Sequence, residues 1–305
     1  MTSRAASAEW LSGFIPDLPT PFNDRGEIDT EAFGRLCERQ IAAGATALVV
    51  GETAGENATL EFFEREQLVR IAAGIARGRA RIIAGAGSNA TDRAVAFTRA
   101  VEQAGADAIM TVVPYYVRPM PQGMAAHFRA VAAATTLPVI LHDIPSRTVK
   151  GLPDDTLVEL AASPQFAGLR DGSGDLARLL RLQPRLPAAF RLLTGDDATS
   201  LAWLAAGGHG CVSAMTNVAP DLCLAVYRNL REGRLQPARY LHRRLVPLAT
   251  LLEREHPAAL KFALALLGFI EPATRLPIVP LDAAAKAAVA DAMSCLADEY
   301  LATAQ

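Results

Sequence analysis

Short apolar segments rich in β-branched residues recur along the chain, and each is too short to form a helix. They are apolar almost without interruption, which is typical of strands buried on both faces of a parallel sheet. The segments are Gly13–Asp17, Thr46–Gly51, Arg81–Gly85, Asp107–Val113, Pro138–His142, Phe166–Arg170, Phe190–Thr194 and Gly210–Ala214. The pattern therefore predicts eight parallel strands.

Helical stretches separate these strands, and the clearest of them begin at a polar residue and end at a glycine. They are Asp29–Ala43, Glu61–Arg77 and Asp92–Ala104, followed by Gly44, Gly78 and Gly105. Strand and helix alternate at about one βαβ unit per 30 residues. This predicts an α/β fold of the (β/α)8 TIM barrel class. An open doubly wound sheet is the alternative, but no G-x-G-x-x-G turn follows the first strand.

The chain continues beyond the last strand with more helices than a barrel needs. They are expected near residues 220–231, 237–254, 257–269 and 281–302. We expect residues 1–219 to form the barrel. Residues 220–305 would form helix 8 and a C-terminal helical extension packed on it, because no Gly/Ser/Pro linker separates them. Apolar surface on such an extension usually means subunit packing.

Composition narrows the possible partners and the compartment. The chain has 305 residues, 51% hydrophobic, and a net charge of −2, so neither nucleic acid nor an anionic membrane is an expected partner. Its four cysteines lack C-x-x-C spacing, which disfavours a disulfide framework or a zinc site. Neither His142 nor His209 belongs to an H-x-H or E-x-x-H pair, so neither suggests another metal. The N-terminus lacks an apolar signal core, and no run reaches the roughly 20 residues of a membrane span. We expect a cytoplasmic protein without a cofactor.

Polar residues collect where the predicted strands end, which is where a barrel carries its active site. Ordinary loop exposure could explain some of them. The pairs Tyr115-Tyr116, His142-Asp143 and Arg170-Asp171 are nevertheless unusual in turns. The sequence thus predicts an enzyme-like pocket at this end of the barrel.

In order and spacing, these segments resemble the dihydrodipicolinate synthase / N-acetylneuraminate lyase family over most of the chain. The matching segments are 18–22 (LPTPF), 53–56 (TAGE), 84–87 (AGAG), 114–116 (PYY), 145–148 (PSRT), 195–197 (GDD), 207–210 (GGHG) and 275–277 (RLP). The resemblance implies a homotetramer built from tight dimers. It also implies a lysine at the end of strand 6 that forms a Schiff base with pyruvate or another 2-oxo acid.

The resemblance assigns roles to individual positions. Thr53 and Tyr116 match the relay hydroxyls, and Tyr115 matches a neighbour at the dimer contact. The positions expected to bind substrate are Arg147, which matches a carboxylate-binding arginine, together with Ala54, Gly195 and Val212.

Three of the matched positions depart from the family pattern. Ala54 stands where a second threonine is usual, His142 where a proton-shuttling tyrosine is usual, and Arg170 where the Schiff-base lysine is usual. A guanidinium stays protonated, so Arg170 should not form an imine. It is suited to binding a carboxylate or an oxyanion.

We therefore expect His142 to act as base, Arg170 as electrostatic clamp, and Tyr116 and Thr53 as hydrogen-bond partners. The hypothesis is enolisation or retro-aldol chemistry on a 2-oxo acid without covalent attachment. Two alternatives stay open: a silent pseudoenzyme that binds a small carboxylate, and an impaired member that performs slow family chemistry.

Other polar residues are expected to be structural. Lys150 reads as a solvated loop lysine and Lys261 as a structural residue of the extension. Glu56 is expected to order the loop after strand 2. His209, which precedes strand 8 at the bottom of the barrel, is expected to serve stability.

Overall fold

A computed structural model of the protein describes residues 8–255 and 257–302. We expected no signal peptide at the N-terminus, and most of that segment lies outside the described residues. Eight strands are present, one for each predicted apolar segment. They are β1 (Gly13–Pro16), β2 (Ala47–Val50), β3 (Arg81–Gly85), β4 (Ala108–Val112), β5 (Val139–Asp143), β6 (Phe166–Asp171), β7 (Arg191–Thr194) and β8 (Gly210–Ser213).

The strands form one parallel sheet in which sequence neighbours pair and β1 lies beside β8. The remaining gap, between β1 and β2, is bridged by Asp17 and Val49. There the Leu18 N–H donates to the Val49 carbonyl at 2.9 Å. The sheet therefore closes on itself, and the predicted TIM barrel is confirmed.

An apolar core fills the barrel. Its fully buried members include Ile15, Val49, Ile83, Ile140 and Val212, each facing the barrel axis from its strand. Side chains alternate along a strand, so the residue two positions further on faces the same way. Asp17 and His142 occupy such positions above Ile15 and Ile140, and both are buried. A polar layer therefore lies directly on the apolar core.

The helices begin and end close to the predicted positions. They are α1 (Thr30–Ala42), α2 (Phe62–Ala76), α3 (Thr91–Gln103), α4 (Pro121–Ala133), α5 (Pro145–Thr148), α6 (Asp154–Ala161), α7 (Leu176–Leu182), α8 (Ser200–Ala205), α9 (Met215–Val218), α10 (Pro220–Arg231), α11 (Leu235–Arg254), α12 (Ala258–Leu266) and α13 (Ala283–Ala302). Asp29 caps α1 by accepting from the Ala32 N–H at 2.9 Å. Gly44 has a φ of 93°, the left-handed conformation expected just after a helix.

The C-terminal helices pack on the barrel through a shared apolar cluster. Leu36 of α1, Leu248 of α11 and Leu260 of α12 are all fully buried within it. Helix α11 runs across the strand ends and contributes Leu252 and Glu253 to a cleft there. Among the described residues, no helix is long and apolar enough to cross a membrane.

Candidate active site

A cleft at the carboxyl ends of the strands has two adjoining parts, of about 240 and 270 Å³. Thr53, Ile144 and Arg147 line both parts, so they form the boundary between them. Glu52, Val112 and Tyr115 belong to the first part. The residues that belong to the second include Arg170, Ser173, Gly195, Asp196 and Glu253. This is the end of the barrel where the sequence predicted a site.

Arg170, at the end of β6, lies at the base of the cleft and is paired with two carboxylates. Its Nη1 is 2.9 Å from Asp17 Oδ2 and 3.5 Å from Glu52 Oε2, and all three side chains are buried. Its Nε has no hydrogen-bond partner among the described residues. A Cβ at Gly195 would lie 3.2 Å from that Nε, so the glycine leaves room beside it. Arg170 is therefore a largely neutralised cation whose buried Nε has no hydrogen-bond partner among the described residues.

Asp17 and Glu52 were not predicted as site residues, although both lie at predicted strand ends. Burial raises the pKa of the Asp17 carboxyl above its ordinary value, and Arg170 only partly opposes this. Burial also acts to raise the pKa of Glu52, but His142 and Arg170 together hold that pKa below its ordinary range. Glu52 is therefore an ionised carboxylate in a buried setting.

One oxygen of Glu52 gathers most of the surrounding donors. Glu52 Oε2 accepts from the Thr53 N–H at 2.7 Å and from the Thr53 hydroxyl at 2.6 Å. His142 Nδ1 lies 3.2 Å from the same oxygen. Glu52 Oε1 is buried and has no hydrogen-bond partner among the described residues.

His142 is fully buried and does not line either part of the cleft. It faces the barrel axis from β5, where Glu52 covers it. The predicted base therefore does not reach the cleft directly. This arrangement could not be read from the sequence, because it depends on the path of the loop after β2.

Arg147 lies at the cleft mouth on the short helix α5 and is exposed. Its guanidinium makes no ion pair with the described residues, so it is available to a ligand carboxylate. Glu253 of α11 is also exposed and lines the same part of the cleft. Burial raises the pKa of the Glu253 carboxyl, and the Arg147 guanidinium partly opposes this, so the two side chains interact across the mouth.

A second buried ion-pair network supports β5 and β6 from outside. Arg178 Nη1 of α7 lies 2.7 Å from Asp143 Oδ2 and 3.1 Å from Asp171 Oδ2. The two aspartates directly follow His142 and Arg170 in sequence. This network holds the two strand ends in register.

Comparison with known proteins identifies the family. A sequence profile of the dihydrodipicolinate synthetase family matches residues 10–296. The chain belongs to the dihydrodipicolinate synthetase family. It is 42% identical over 285 residues to the 4-hydroxy-tetrahydrodipicolinate synthase of Hyphomonas neptunium, covering 92% of this chain and 97% of the relative.

Solved structures of this lyase family are similar over almost the whole chain. The 4-hydroxy-tetrahydrodipicolinate synthase of Methylacidiphilum fumariolicum SolV is 37% identical, with a TM-score of 0.93 over 96% of this chain and 98% of its own. The chloride-inhibited dihydrodipicolinate synthase of Acinetobacter baumannii, described in complex with pyruvate, is 33% identical. Its TM-score is 0.91 over 94% of this chain and 99% of its own. The resemblance seen in the sequence is thus confirmed for the family.

Two residues expected at a dihydrodipicolinate synthase site from the resemblance lie outside this cleft. Val212 is part of the apolar barrel core below it. Ala54 is fully buried in the cluster shared with the C-terminal helices. Its N–H is 3.4 Å from Asp17 Oδ2, so it supports the site from behind.

The adjacent tyrosines of the family motif point to different places. Tyr115 lines the cleft, whereas the Tyr116 side chain is 89% exposed. The φ of Tyr116 is 69°, a left-handed backbone conformation that reverses the direction of the loop. Within one chain, Tyr115 rather than the predicted Tyr116 is therefore the cleft residue.

None of the chain's three lysines lines the cleft. Lys261 is fully buried on α12, paired with Glu56 and bonded to the Ala273 carbonyl at 2.7 Å. Its structural role is as predicted. Lys150 is half-buried on the loop after α5, and Lys286 lies on α13 near the Phe262 ring.

Proposed function

We propose that this chain is an aldolase-type lyase of the dihydrodipicolinate synthetase family that acts on a pyruvate-like 2-oxo acid without a lysine imine. The observation that carries the proposal is the buried guanidinium of Arg170 at the end of β6, ion-paired with Asp17 and Glu52. By resemblance, this is the position of the imine-forming lysine.

Arg170 is held in a form that cannot attack a carbonyl. Burial acts to lower the pKa of its guanidinium, but Asp17 and Glu52 reverse this and raise the pKa above its ordinary value. A protonated guanidinium has no free electron pair to offer as a nucleophile. Arg170 lines the cleft, and its N–H donors suit the oxygen of an enolate formed from the 2-oxo acid.

Other amines are poorly placed to replace the missing lysine. The ammonium of Lys261 is engaged by Glu56, a backbone carbonyl and the Phe22 ring. Lys150 does not line the cleft. The substrate is therefore held by noncovalent contacts.

The cleft suggests how such a substrate is held. The free guanidinium of Arg147 at the mouth binds a carboxylate, as the family pattern implies. Thr53, between the two parts of the cleft, and Gly195, beside Arg170, border the space for the reacting carbons. The Acinetobacter baumannii relative is described in complex with pyruvate, which supports a small 2-oxo acid as the substrate of this chain.

Self-association is part of the proposal. A homotetramer is typical of the family, and we propose a dimer of dimers here. Tyr116, Val117 and Met120 are 89%, 56% and 68% exposed and form an apolar surface on the loop before α4. Exposed apolar surface of this kind marks contact sites. The neighbouring Tyr115 would then lie close to the subunit contact.

Borohydride trapping tests the absence of an imine. The protein is incubated with pyruvate and borohydride, and its intact mass is measured beside a family member that retains the β6 lysine. We expect a pyruvyl adduct on that control and none on this chain. An adduct on this chain would refute the proposal, and peptide mapping would show whether Lys150 carries it.

Turnover is tested separately by incubating the protein with a panel of 2-oxo acids in deuterated water. The exchange of hydrogen for deuterium at C3 of each acid is followed. Exchange without an adduct is the expected result. Ligand binding without exchange would favour the pseudoenzyme that only binds a small carboxylate.

A further inference from the structure

We infer that Glu52 is the catalytic proton-transfer residue of this site and that His142 is a positioning residue acting through it. The inference rests on the proposed imine-free function and assigns its proton chemistry to a residue outside the family pattern.

Glu52, Asp17 and His142 differ in their access to the cleft. Glu52 lines the cleft, whereas neither Asp17 nor His142 does. His142 has no exposed side-chain surface and lies behind Glu52. A ligand in the first part of the cleft therefore meets Glu52 before it can meet the imidazole.

The two carboxylate oxygens of Glu52 have unequal surroundings. Oε2 holds both Thr53 donors and lies near His142 Nδ1 and Arg170 Nη1, at 3.2 and 3.5 Å. Oε1 is buried with no donor among the described residues. A buried acceptor left unpaired is costly and uncommon, and such groups are found at functional sites. A substrate hydroxyl is the donor that would complete it.

The local fold around Gly85 gives Glu52 its position. A Cβ on Gly85 of β3 would lie 2.1 Å from the Gly51 carbonyl oxygen and 3.1 Å from Glu52 Cγ. The absence of that Cβ lets the loop after β2 lie against β3. Glu52 can then reach inward between Arg170 and His142.

The proton chemistry balances without an additional reactant. In a 4-hydroxy-2-oxo acid, Glu52 takes the proton of the C4 hydroxyl while the C3–C4 bond breaks. The electron pair of that bond forms the enolate of the 2-oxo acid, whose oxygen faces the Arg170 guanidinium, and an aldehyde leaves. Glu52 then returns the proton to C3. With pyruvate alone in deuterated water, the same carboxylate removes hydrogen from C3 and returns deuterium.

The groups that set the charge of Glu52 come from four elements. His142 on β5 and Arg170 on β6 favour the ionised form, Asp17 after β1 opposes it, and Arg65 on α2 adds a weaker attraction. The two Thr53 donors also stabilise the ionised form. Loss of the Thr53 hydroxyl should therefore raise the pH at which proton abstraction begins.

The experiment measures C3 deuterium exchange of pyruvate by NMR as a function of pH in the full-length protein. Glu52→Gln should slow exchange by about 100-fold or more, the usual scale for losing a general base. Glu66→Gln, the same chemical change on the exposed face of α2, should leave the rate unchanged. His142→Phe should retain measurable exchange with a shifted pH profile.

Thr53→Val provides a second readout that does not require Glu52 to be replaced. It should move the acid limb of the profile to higher pH, because Glu52 loses a hydrogen bond that stabilises its ionised form. Because the pKa of Glu52 is held below its ordinary range, the limb is followed down to the lowest pH at which the fold persists, and a limb that moves to lower pH would overturn the assignment.

Three other results would also overturn it: full exchange in Glu52→Gln, exchange lost in His142→Phe but kept in Glu52→Gln, and no exchange in the unaltered protein. Failure of the imine-free function is distinguishable, since it appears as a borohydride adduct on the unaltered protein whether or not exchange depends on Glu52.

Discussion

Removing the Arg170 guanidinium should destabilise the fold by leaving two buried carboxylates without their shared cation. The informative change is Arg170→Met, because methionine fills much of the same volume without charge. At distances of 2.9 and 3.5 Å, each attraction is worth about 5 kcal/mol at an effective dielectric of about 20. The desolvation of all three groups offsets much of this. Breaking a buried pair by removing one partner costs about 3–5 kcal/mol, which is the loss we expect.

The loss of folding stability caused by Arg170→Met should depend on pH in a defined direction. The pKa of Asp17 is already raised by burial, and it rises further when Arg170 is absent. A carboxyl whose folded pKa exceeds its unfolded value binds more protons in the folded state, so stability falls as pH rises through the folded value. The deficit of Arg170→Met should therefore be larger at pH 8 than at pH 5.

Urea denaturation at both pH values, at one fixed protein concentration, measures this deficit. Arg79→Met is the matched control, because Arg79 pairs with Glu38 on the surface and its loss should hardly move the midpoint. Asp17→Asn combined with Arg170→Met should recover part of the loss, since one orphaned charge is removed. If Arg170→Met behaves like Arg79→Met at both pH values, Arg170 does not neutralise buried charge and the reasoning fails.

Three further predictions concern the loop after β2, Arg147 at the mouth of the cleft, and the exposed surface around Tyr116. Gly85→Ala should lower the free energy of unfolding, measured in urea, by about 1–3 kcal/mol and reduce turnover, because the new Cβ would meet the Gly51 carbonyl. The control Gly74→Ala, which has open space around it, should be neutral or stabilising. Arg147→Gln should raise KM for a carboxylate-bearing substrate with little change in kcat in steady-state assays, and a fall in kcat alone would contradict its binding role. Tyr116→Ser should weaken self-association in sedimentation velocity without changing far-UV circular dichroism, and an unaltered assembly would remove Tyr116 from the contact.

Much of the fold could be predicted because it depends on local pattern. Apolar runs of four to eight residues predict buried strands, and glycines such as Gly44 and Gly105 mark helix ends through their left-handed conformation. The alternation of strand and helix then leaves few topologies. The position of Arg170 at a strand end follows from residue order alone.

The composition of the cleft was harder to predict, because it depends on loop geometry. Tyr115 and Tyr116 are adjacent and chemically identical, yet only Tyr115 faces the cleft, since the backbone turns at Tyr116. Val212 was expected to contact substrate but falls one layer too deep, in the barrel core.

The sequence by itself determined the barrel and the family, since these depend on periodicity and motif order. Only the tertiary structure decided what surrounds the Arg170 guanidinium. Asp17 and Glu52 lie 153 and 118 residues from Arg170 in the chain and meet it only when the barrel closes. Closure turns Arg170 from a free cation into the neutralised centre of a buried cluster, and it places Glu52 rather than His142 at the surface of the cleft.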